Sequence, residues 1–356
     1  MIKSLNGMRF IFALCVLFCH FYLAGSYNRA IFLEGGAIAV HFFFILSGFL
    51  LTLQYEDRIK NNDFKPVPFF LKKIAKIYPL HILVLVLFII WKIKLEQFSL
   101  ESLKIAFFNL FLLQSYIPDM NYYYSFNFPS WYLCDMIFLY FIFALFAKYL
   151  YNSKKPLITI IIIECFLSMI LILFGHYVKS MDDFAFYIFP PVHLLDLLAG
   201  IWLCLLYKKL KDIELPSFVF IFLEFAAIAV FVLTVLISPR IPTKYRISFL
   251  YIFAMSFIVF VFALTDKKGP LAKLFSTKFF QFLGSISFSL YMIHLYMQHF
   301  TGLFLDRYNT YNDYPLVFFA VYLIATLFLS FICQKYFVNP IYNKLRTRID
   351  EKNNSL

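Results

Sequence analysis

The sequence is dominated by apolar stretches of about 17 to 25 residues, the length that an α-helix needs to cross the hydrocarbon core of a bilayer. Charged residues fall between these stretches; they make up 15% of the chain, whereas hydrophobic residues make up 62%. Soluble globular domains do not have this composition. We therefore predict an all-α integral membrane protein, a single bundle of about ten transmembrane helices.

The predicted spans follow the apolar stretches in chain order. They lie near residues 8–25, 36–54, 77–93, 130–148, 156–175, 188–207, 216–237, 247–264, 278–299 and 315–336. A weaker stretch near 103–116 is interrupted by Asn109 and Gln114, and we interpret it as interfacial or re-entrant. We expect one membrane domain over residues 1–336 and a basic cytoplasmic tail over residues 337–356.

The basic residues predict the orientation. An even number of spans places both termini on one side, and most of the 32 lysines and arginines fall in the loops of that side. Cytoplasmic loops carry such an excess, so both termini are expected to be cytoplasmic. The net charge of +12 is spread over short loops instead of forming one basic face. We therefore expect membrane lipids and no nucleic acid among the partners.

The six cysteines all lie inside apolar segments, where a free thiol behaves as a small hydrophobic group. Their spacing fits neither a disulfide framework nor a zinc motif. The sequence therefore predicts no metal site.

Ionisable side chains within membrane spans are costly and indicate function. Arg9 and His20 are eleven residues apart, three helical turns, so they share a face of the first helix and are separated by roughly 16 Å along its axis. A histidine at that depth is suited to be a general base. The alternative is structural: Arg9 reaches the cytoplasmic headgroups and His20 fills a polar gap between helices.

Two further features lie near the second span. Ser47 and Gly48 end a phenylalanine-rich segment and permit close helix approach. In the segment that follows, which we interpret as a loop, Lys72, Lys73 and Lys76 lie on adjacent turns. These lysines are either a topology anchor or a phosphate-binding patch beside Arg9.

Later spans carry three more polar positions. Asp135 follows Trp131 in the fourth span. In the sixth, His193 and Asp196 are three residues apart, a spacing at which the two side chains can hydrogen-bond on one helix face. The ninth carries Tyr291 and His294 at the same spacing. Structural pairing between helices and catalysis both remain open for these residues.

Taken in order, these segments resemble the acyltransferase-3 family of membrane O-acyltransferases, which modify bacterial surface glycans. The matching segments, which run from residue 5 to about residue 294, are NGMRFIFALCVLFCHF, VHFFFILSGFLL, KKIAKIYP, SWYLCD, HLLDLLAG and LGSISFSLYMIH. The first reproduces the family's basic residue, ten intervening residues and histidine. The last is similar to its Gly-x-Ser-Tyr-x-x-Tyr-x-x-His motif.

The chain also departs from the family pattern. His41 stands where Asp is common, and His193 and Asp196 replace the Arg and Glu of an Arg-x-x-Glu-Phe-x-x-Gly motif. Lysines replace arginines in the basic segment, and Asn6 replaces the usual Asp. Met136 occupies the position of a usual glutamate, with Asp135 beside it.

The resemblance implies a bacterial inner-membrane enzyme that transfers an acyl group, by expectation acetyl, from acetyl-CoA to a surface polysaccharide or lipid-linked glycan. Arg9, Lys72, Lys73 and Lys76 would then bind the phosphates of the acyl-CoA. His20 would be the general base, oriented by Asp135 or Asp196, and Ser47 or Tyr291 would donate to the oxyanion. No cofactor metal is expected.

The alternative is a transporter or flippase for a glycan or lipid-linked intermediate, whose intramembrane His and Asp would line a pathway. Such folds carry inverted repeats and helices broken by Gly or Pro at matching positions of the two halves. The sequence has no such repeat, which favours the enzyme.

Overall fold

The computed structural model describes residues 2–21, 29–177, 183–306 and 314–354, and every regular element in these ranges is helical. The helices are α1 (Lys3–His20), α2 (Arg29–Lys60), α3 (Pro66–Lys94), α4 (Leu100–Leu110), α5 (Met120–Tyr123), α6 (Trp131–Tyr151), α7 (Pro156–Tyr177), α8 (Leu194–Leu210), α9 (Ser217–Ile237), α10 (Thr243–Tyr245), α11 (Ile252–Leu264), α12 (Pro270–Phe275), α13 (Lys278–Asp306), α14 (Pro315–Ile332) and α15 (Asn339–Asn354). Short 3₁₀ or π segments lie at Gln114–Tyr116, Phe128–Ser130, Phe184–Ile188, Pro190–His193, Ser238–Arg240, Arg246–Tyr251 and Cys333–Val338.

Within the described ranges, eight helical segments are long and apolar enough to cross a membrane. They are Glu34–Lys60, Pro66–Lys94, Phe128–Tyr151, Pro156–Phe174, Pro190–Leu210, Ser217–Arg240, Thr243–Leu264 and Leu316–Asn353. The protein is therefore a multi-pass membrane protein. Helices α1 and α13 coincide with the first and ninth predicted spans, apart from the end of the first, which lies outside the described residues. The count of ten and the orientation of the termini stay predictions.

The basic segment before the third span is helical, so its interpretation as a loop was wrong. Lys72, Lys73 and Lys76 lie on the first turns of α3, which begins at Pro66. Proline is well suited to the first helical position because its missing N–H has no partner there in any helix. The three lysines lowered the local hydropathy, and this concealed the first turns of the helix.

The weak stretch near 103–116 forms α4 and a 3₁₀ turn that are fastened by buried polar side chains. The backbone carbonyl of Asn109 lies 2.8 Å from Nε2 of His81 on α3. Its side-chain amide donates to Ser125 at 2.7 Å. Asn109, which interrupts the apolar pattern, is thus paired inside the protein, as a buried amide must be.

The chain folds into two compact units. The first comprises residues 1–19, 30–64 and 145–285, and it contains α2, α8, α9 and α11. Helices α2 and α8 approach closely at two glycines: a Cβ on Gly48 would collide with the carbonyl oxygen of Leu197, and one on Gly200 with that of Ile45. The predicted role of the Ser-Gly pair in close helix packing is confirmed.

The second unit comprises residues 20–29, 65–144 and 286–356. The segment that we predicted as a tail is helix α15, which packs along α3. Lys72 of α3 forms an ion pair with Asp350 of α15. Both side chains are partly exposed, so this pair contributes little to stability, about 0–1 kcal/mol.

Candidate functional site

Two imidazole rings meet in the second unit. His20 is the last residue of α1, and its Nδ1 lies 3.2 Å from Nε2 of His294 on α13. The ring centroids are 5.2 Å apart and the planes are tilted by 44°. His294 is buried, whereas His20 is half-buried. The partly accessible imidazole of His20 is thus in contact with the inaccessible imidazole of His294.

The hydrogen bonds determine the tautomers of both rings. Nδ1 of His294 lies 2.7 Å from the carbonyl oxygen of Tyr291. A carbonyl only accepts, so this nitrogen carries the proton, and Nε2 of neutral His294 accepts. His20 must then donate its Nδ1–H to His294. The lone pair of His20 consequently lies on Nε2, the nitrogen that can take up a proton.

Backbone contacts hold the two histidines in place. The side-chain amide of Gln298 donates to the carbonyl of His20 at 3.0 Å, and the hydroxyl of Tyr322 donates to the carbonyl of His294 at 3.2 Å. These bonds fasten the end of α1 and the middle of α13. Such secondary contacts fix the orientation of a reactive side chain.

An aromatic pair lies beside His20. The ring of Phe128 meets the His20 ring edge to face, with centroids 5.3 Å apart. Phe128 in turn stacks on Tyr124 at 3.9 Å and 16°. Both rings are half-buried, whereas their neighbour Asn127 is buried and donates to the carbonyl of Met292 at 3.1 Å. The aromatic pair is therefore tied to α13, the helix that carries His294.

Tyr291 has a positioning contact in this region. Its hydroxyl donates to the carbonyl of Pro129 at 2.9 Å, and its side chain is buried. This bond joins α13 to the segment that leads into α6. The oxyanion role predicted for Tyr291 stays a prediction.

Asp135 lies in the first turns of α6, fully buried in the same unit as His20. We expected a carboxylate to orient His20, and Nδ1 of His20 lies 3.2 Å from Nε2 of His294. The role of Asp135 stays a prediction.

Asp196 lies in the first unit, and both of its carboxylate oxygens have partners there. Oδ2 lies 2.9 Å from Nδ1 of His193, which confirms the predicted contact three residues apart. Oδ1 lies 2.7 Å from Nδ1 of His41 on α2. His193 also contacts the carbonyl of Tyr187 at 3.0 Å and stacks on Phe44. The role of Asp196 as partner of His20 stays a prediction.

This cluster unites three departures from the family pattern. His41, His193 and Asp196 were separate irregularities in the sequence, and in the structure they are neighbours, each at most 1% exposed. Their ligand-type atoms all lie within 4.8 Å of one another. The three substitutions therefore have to be understood together.

The remaining predicted residues lie as follows. Ser47 donates to the carbonyl of Phe43 one turn earlier, at 2.8 Å. Arg9 is half-buried in the first unit. In the second unit, Lys73 lies over the ring of Tyr140, with Nζ 5.2 Å from its centroid, while Lys76 is exposed. The oxyanion role of Ser47 and the shared phosphate site stay predictions.

Comparison with known proteins agrees with the resemblance. A family model described as an acyltransferase domain matches residues 2–335. The chain belongs to the acyltransferase-3 family. It is 26% identical over 317 residues to the putative peptidoglycan O-acetyltransferase YrhL of Bacillus subtilis, a match that covers 82% of this chain and 48% of the relative.

Two other relatives support the same assignment. The peptidoglycan O-acetyltransferase OatA of Listeria monocytogenes is 25% identical over 316 residues, covering 82% of this chain and 49% of the relative. The acyltransferase MdmB of Streptomyces mycarofaciens is 31% identical over 148 residues, covering 38% of this chain and 37% of the relative. The chain thus spans about half the length, or less, of these curated relatives. No solved structure matches it significantly.

Two members of these sites were missed by sequence reasoning. His294 was noted for its spacing from Tyr291 and as the end of a family motif but was given no role, and His41 was noted only as an irregularity. A signal existed for His294, because it ends the last family motif. No signal in a single sequence reports that His41 meets a histidine and an aspartate about 150 residues away.

Proposed function

We propose that the chain is a membrane O-acyltransferase in the bacterial cytoplasmic membrane. It would move an acetyl group from acetyl-CoA to a hydroxyl of a cell-surface glycan, with His20 as general base. The observation that carries this proposal is the contact between His20 and His294, because it leaves the lone pair of the accessible ring on Nε2.

In the proposed reaction, Nε2 of His20 takes the proton of the acceptor hydroxyl while the hydroxyl oxygen attacks the thioester carbonyl. The carbon–sulfur bond then breaks, and the CoA thiolate leaves and takes the proton from the His20 imidazolium. Atoms and charges balance without a covalent enzyme intermediate. His294 supports this cycle because its Nε2 accepts from His20 Nδ1 throughout and stabilises the imidazolium.

The donor would enter from the cytoplasm. Arg9 and His20 lie on one helix and are separated by roughly 16 Å along its axis, a rise that suits an extended pantetheine arm. Phosphates would bind Arg9 at one end of this path, together with Lys72, Lys73 and Lys76 of α3. The thioester would then arrive beside His20.

The acceptor is proposed to be a glycan for two reasons. Two relatives of this chain are named as peptidoglycan O-acetyltransferases. In addition, the half-buried ring of Phe128, which stacks on that of Tyr124, lies beside His20. Sites for small ligands combine such aromatic walls with a few polar groups, and the apolar face of a sugar ring fits this one.

The experiment is mass spectrometry of O-acetyl esters on surface glycans from cells that carry the wild type or His20→Ala at equal membrane abundance. We expect the ester mass with the wild type and its loss with the variant. His299→Gln is the matched control: His299 is on α13 too, but it contacts the rings of Phe88 and Trp91 and should be dispensable for transfer.

If the wild type adds no ester, or if His20→Ala adds it unimpaired, the proposal fails. A transporter or flippase would then be the better explanation. Transport of a lipid-linked glycan, measured in the same cells, would depend on the chain without any ester being formed.

A further inference from the structure

The cluster of His41, His193 and Asp196 lies inside the first unit and has no part in the proposed reaction. Its members come from two elements: His41 from α2, and His193 and Asp196 from the start of α8. Their exposed fractions are 1%, 0% and 0%. Buried polar and charged side chains such as these are costly unless each has a hydrogen-bond or charge partner.

Both ring nitrogens of His193 have acceptor atoms as partners. Its Nε2 lies 3.0 Å from the carbonyl oxygen of Tyr187, which only accepts, so this nitrogen carries a proton. In the neutral ring, Nδ1 then holds a lone pair and faces a carboxylate oxygen of Asp196 at 2.9 Å. Two electron-rich atoms at this distance repel unless a proton, which would make His193 an imidazolium, or a metal cation lies between them.

His41 has a related irregularity. Its Nδ1 lies 2.7 Å from the other oxygen of Asp196, while its Nε2 is buried and has no hydrogen-bond partner among the residues that the structure describes. The ring is nevertheless held in place, because it packs against the ring of Tyr251 with centroids 5.5 Å apart. His41 is therefore oriented by its contact with the carboxylate and by the packing of its ring.

The family pattern indicates what is missing. The family pattern has Asp at the position of His41, and Arg and Glu at the positions of His193 and Asp196. This chain has His41, His193 and Asp196 instead, so the fixed cation is gone and all three side chains are metal-ligand types. A buried carboxylate still requires a compensating positive charge.

We propose that His41, His193 and Asp196 bind a divalent transition metal ion, with zinc as the simplest occupant. Nδ1 of each histidine and the carboxylate of Asp196 are the ligands. Two histidines and one carboxylate form a common three-ligand set, and the carbonyl of Tyr187 is the outer partner that usually orients a ligating imidazole.

The geometry is close to what such an ion requires. Zinc binds imidazole nitrogen and carboxylate oxygen at about 2.0–2.2 Å, so its ligands are roughly 3.3 to 4.2 Å apart. The three ligand atoms lie within 4.8 Å of one another, and the two contacts between histidine and Asp196, at 2.7 and 2.9 Å, would lengthen to admit the ion. The ion would fasten α2 to α8, where Gly48 and Gly200 already bring the two backbones together.

The test measures metal content and requires no activity. The full chain, carried on an affinity tag without histidine, is purified in detergent, stripped with a chelator, loaded with Zn²⁺ and passed over a desalting column. We expect about one zinc per chain by elemental mass spectrometry. His193→Gln should lose this zinc, because it removes one ligand.

Two further variants make the result decisive. The double variant His41→Asp/His193→Arg restores the fixed positive charge without the ligands, so it should stay folded and bind no zinc. His81→Gln is the matched control, because His81 is another buried histidine with an unpartnered ring nitrogen, and it should keep the zinc.

A Co²⁺-loaded wild type should also show the visible absorption of nitrogen-bound cobalt, and the double variant should not. A zinc-free wild type after loading would overturn the proposal, as would equal zinc in the wild type and the double variant. Because metal content is read independently of acyl transfer, failure here leaves the proposed function untouched.

Discussion

Replacement of His294 tests the assignment of the proton positions on His20. With His294→Phe, the Nδ1–H of His20 loses an acceptor at 3.2 Å beside a buried position. One hydrogen bond contributes about 0.5–1.5 kcal/mol of stabilisation. In this case the bond stabilises the tautomer of His20 that has its lone pair on Nε2. Its loss reduces the reactive tautomer by up to about tenfold.

Loss of orientation adds to this effect. The imidazole of His20 is held at its edge by Phe128 and at Nδ1 by His294. Without the second contact the ring rotates, and a misplacement of about 1 Å can lower a rate by about 10². We therefore expect the transfer rate of His294→Phe to fall by about 10² to 10³.

The assay is the initial rate of acetyl transfer from labelled acetyl-CoA to surface glycan in membranes that contain equal amounts of each variant. His294→Gln is the informative comparison, because its amide oxygen can accept from His20 Nδ1 near the position of the ring nitrogen. We expect it to retain activity within about tenfold of the wild type. Equal activities of the phenylalanine variant and the wild type would refute the reasoning, as would equal losses in both variants with intact folding.

Four other outcomes are expected. Gly48→Val should lower the melting temperature in detergent and the yield of folded protein, because overpacking costs about 1–3 kcal/mol or more, whereas Gly35→Val, whose added Cβ meets nothing within 4 Å among the described residues, should not. Tyr124→Ala should raise the acceptor KM several-fold and leave the acetyl-CoA KM unchanged. Lys72→Gln should raise the acetyl-CoA KM about threefold to tenfold, equivalent to roughly 0.7–1.4 kcal/mol. The acid limb of the pH profile of kcat/KM should rise about tenfold per pH unit, because His20 must be unprotonated to accept the hydroxyl proton; a flat profile would contradict a histidine base.

Much of the fold is predictable from hydrophobic length. Spans such as Pro156–Phe174 and Ser217–Arg240 are long apolar segments, and in a bilayer such a segment satisfies its backbone hydrogen bonds as an α-helix. The start of α3 was missed for the same reason, because its lysines interrupt the apolar pattern although Pro66 marks a helix start. Hydropathy therefore located the apolar spans better than it located helix ends.

The sites were predictable only where the contacts are local or follow a known motif. The His193–Asp196 pair follows from spacing on a helix. The addition of His41 to that pair depends on the crossing of two helices, and a single sequence contains no information on which residues meet there. The same holds for His20 and His294, which are 274 residues apart.

Helix α15 has a practical consequence for work on this protein. Residues Asn339–Asn354 lie along α3, and Asp350 reaches Lys72. A reporter fused at residue 338 would remove a packing partner of α3 and uncover a lysine, so its signal would describe an altered protein. Reporters for mapping membrane topology should be fused after Asn354, because this position leaves helix α15 intact.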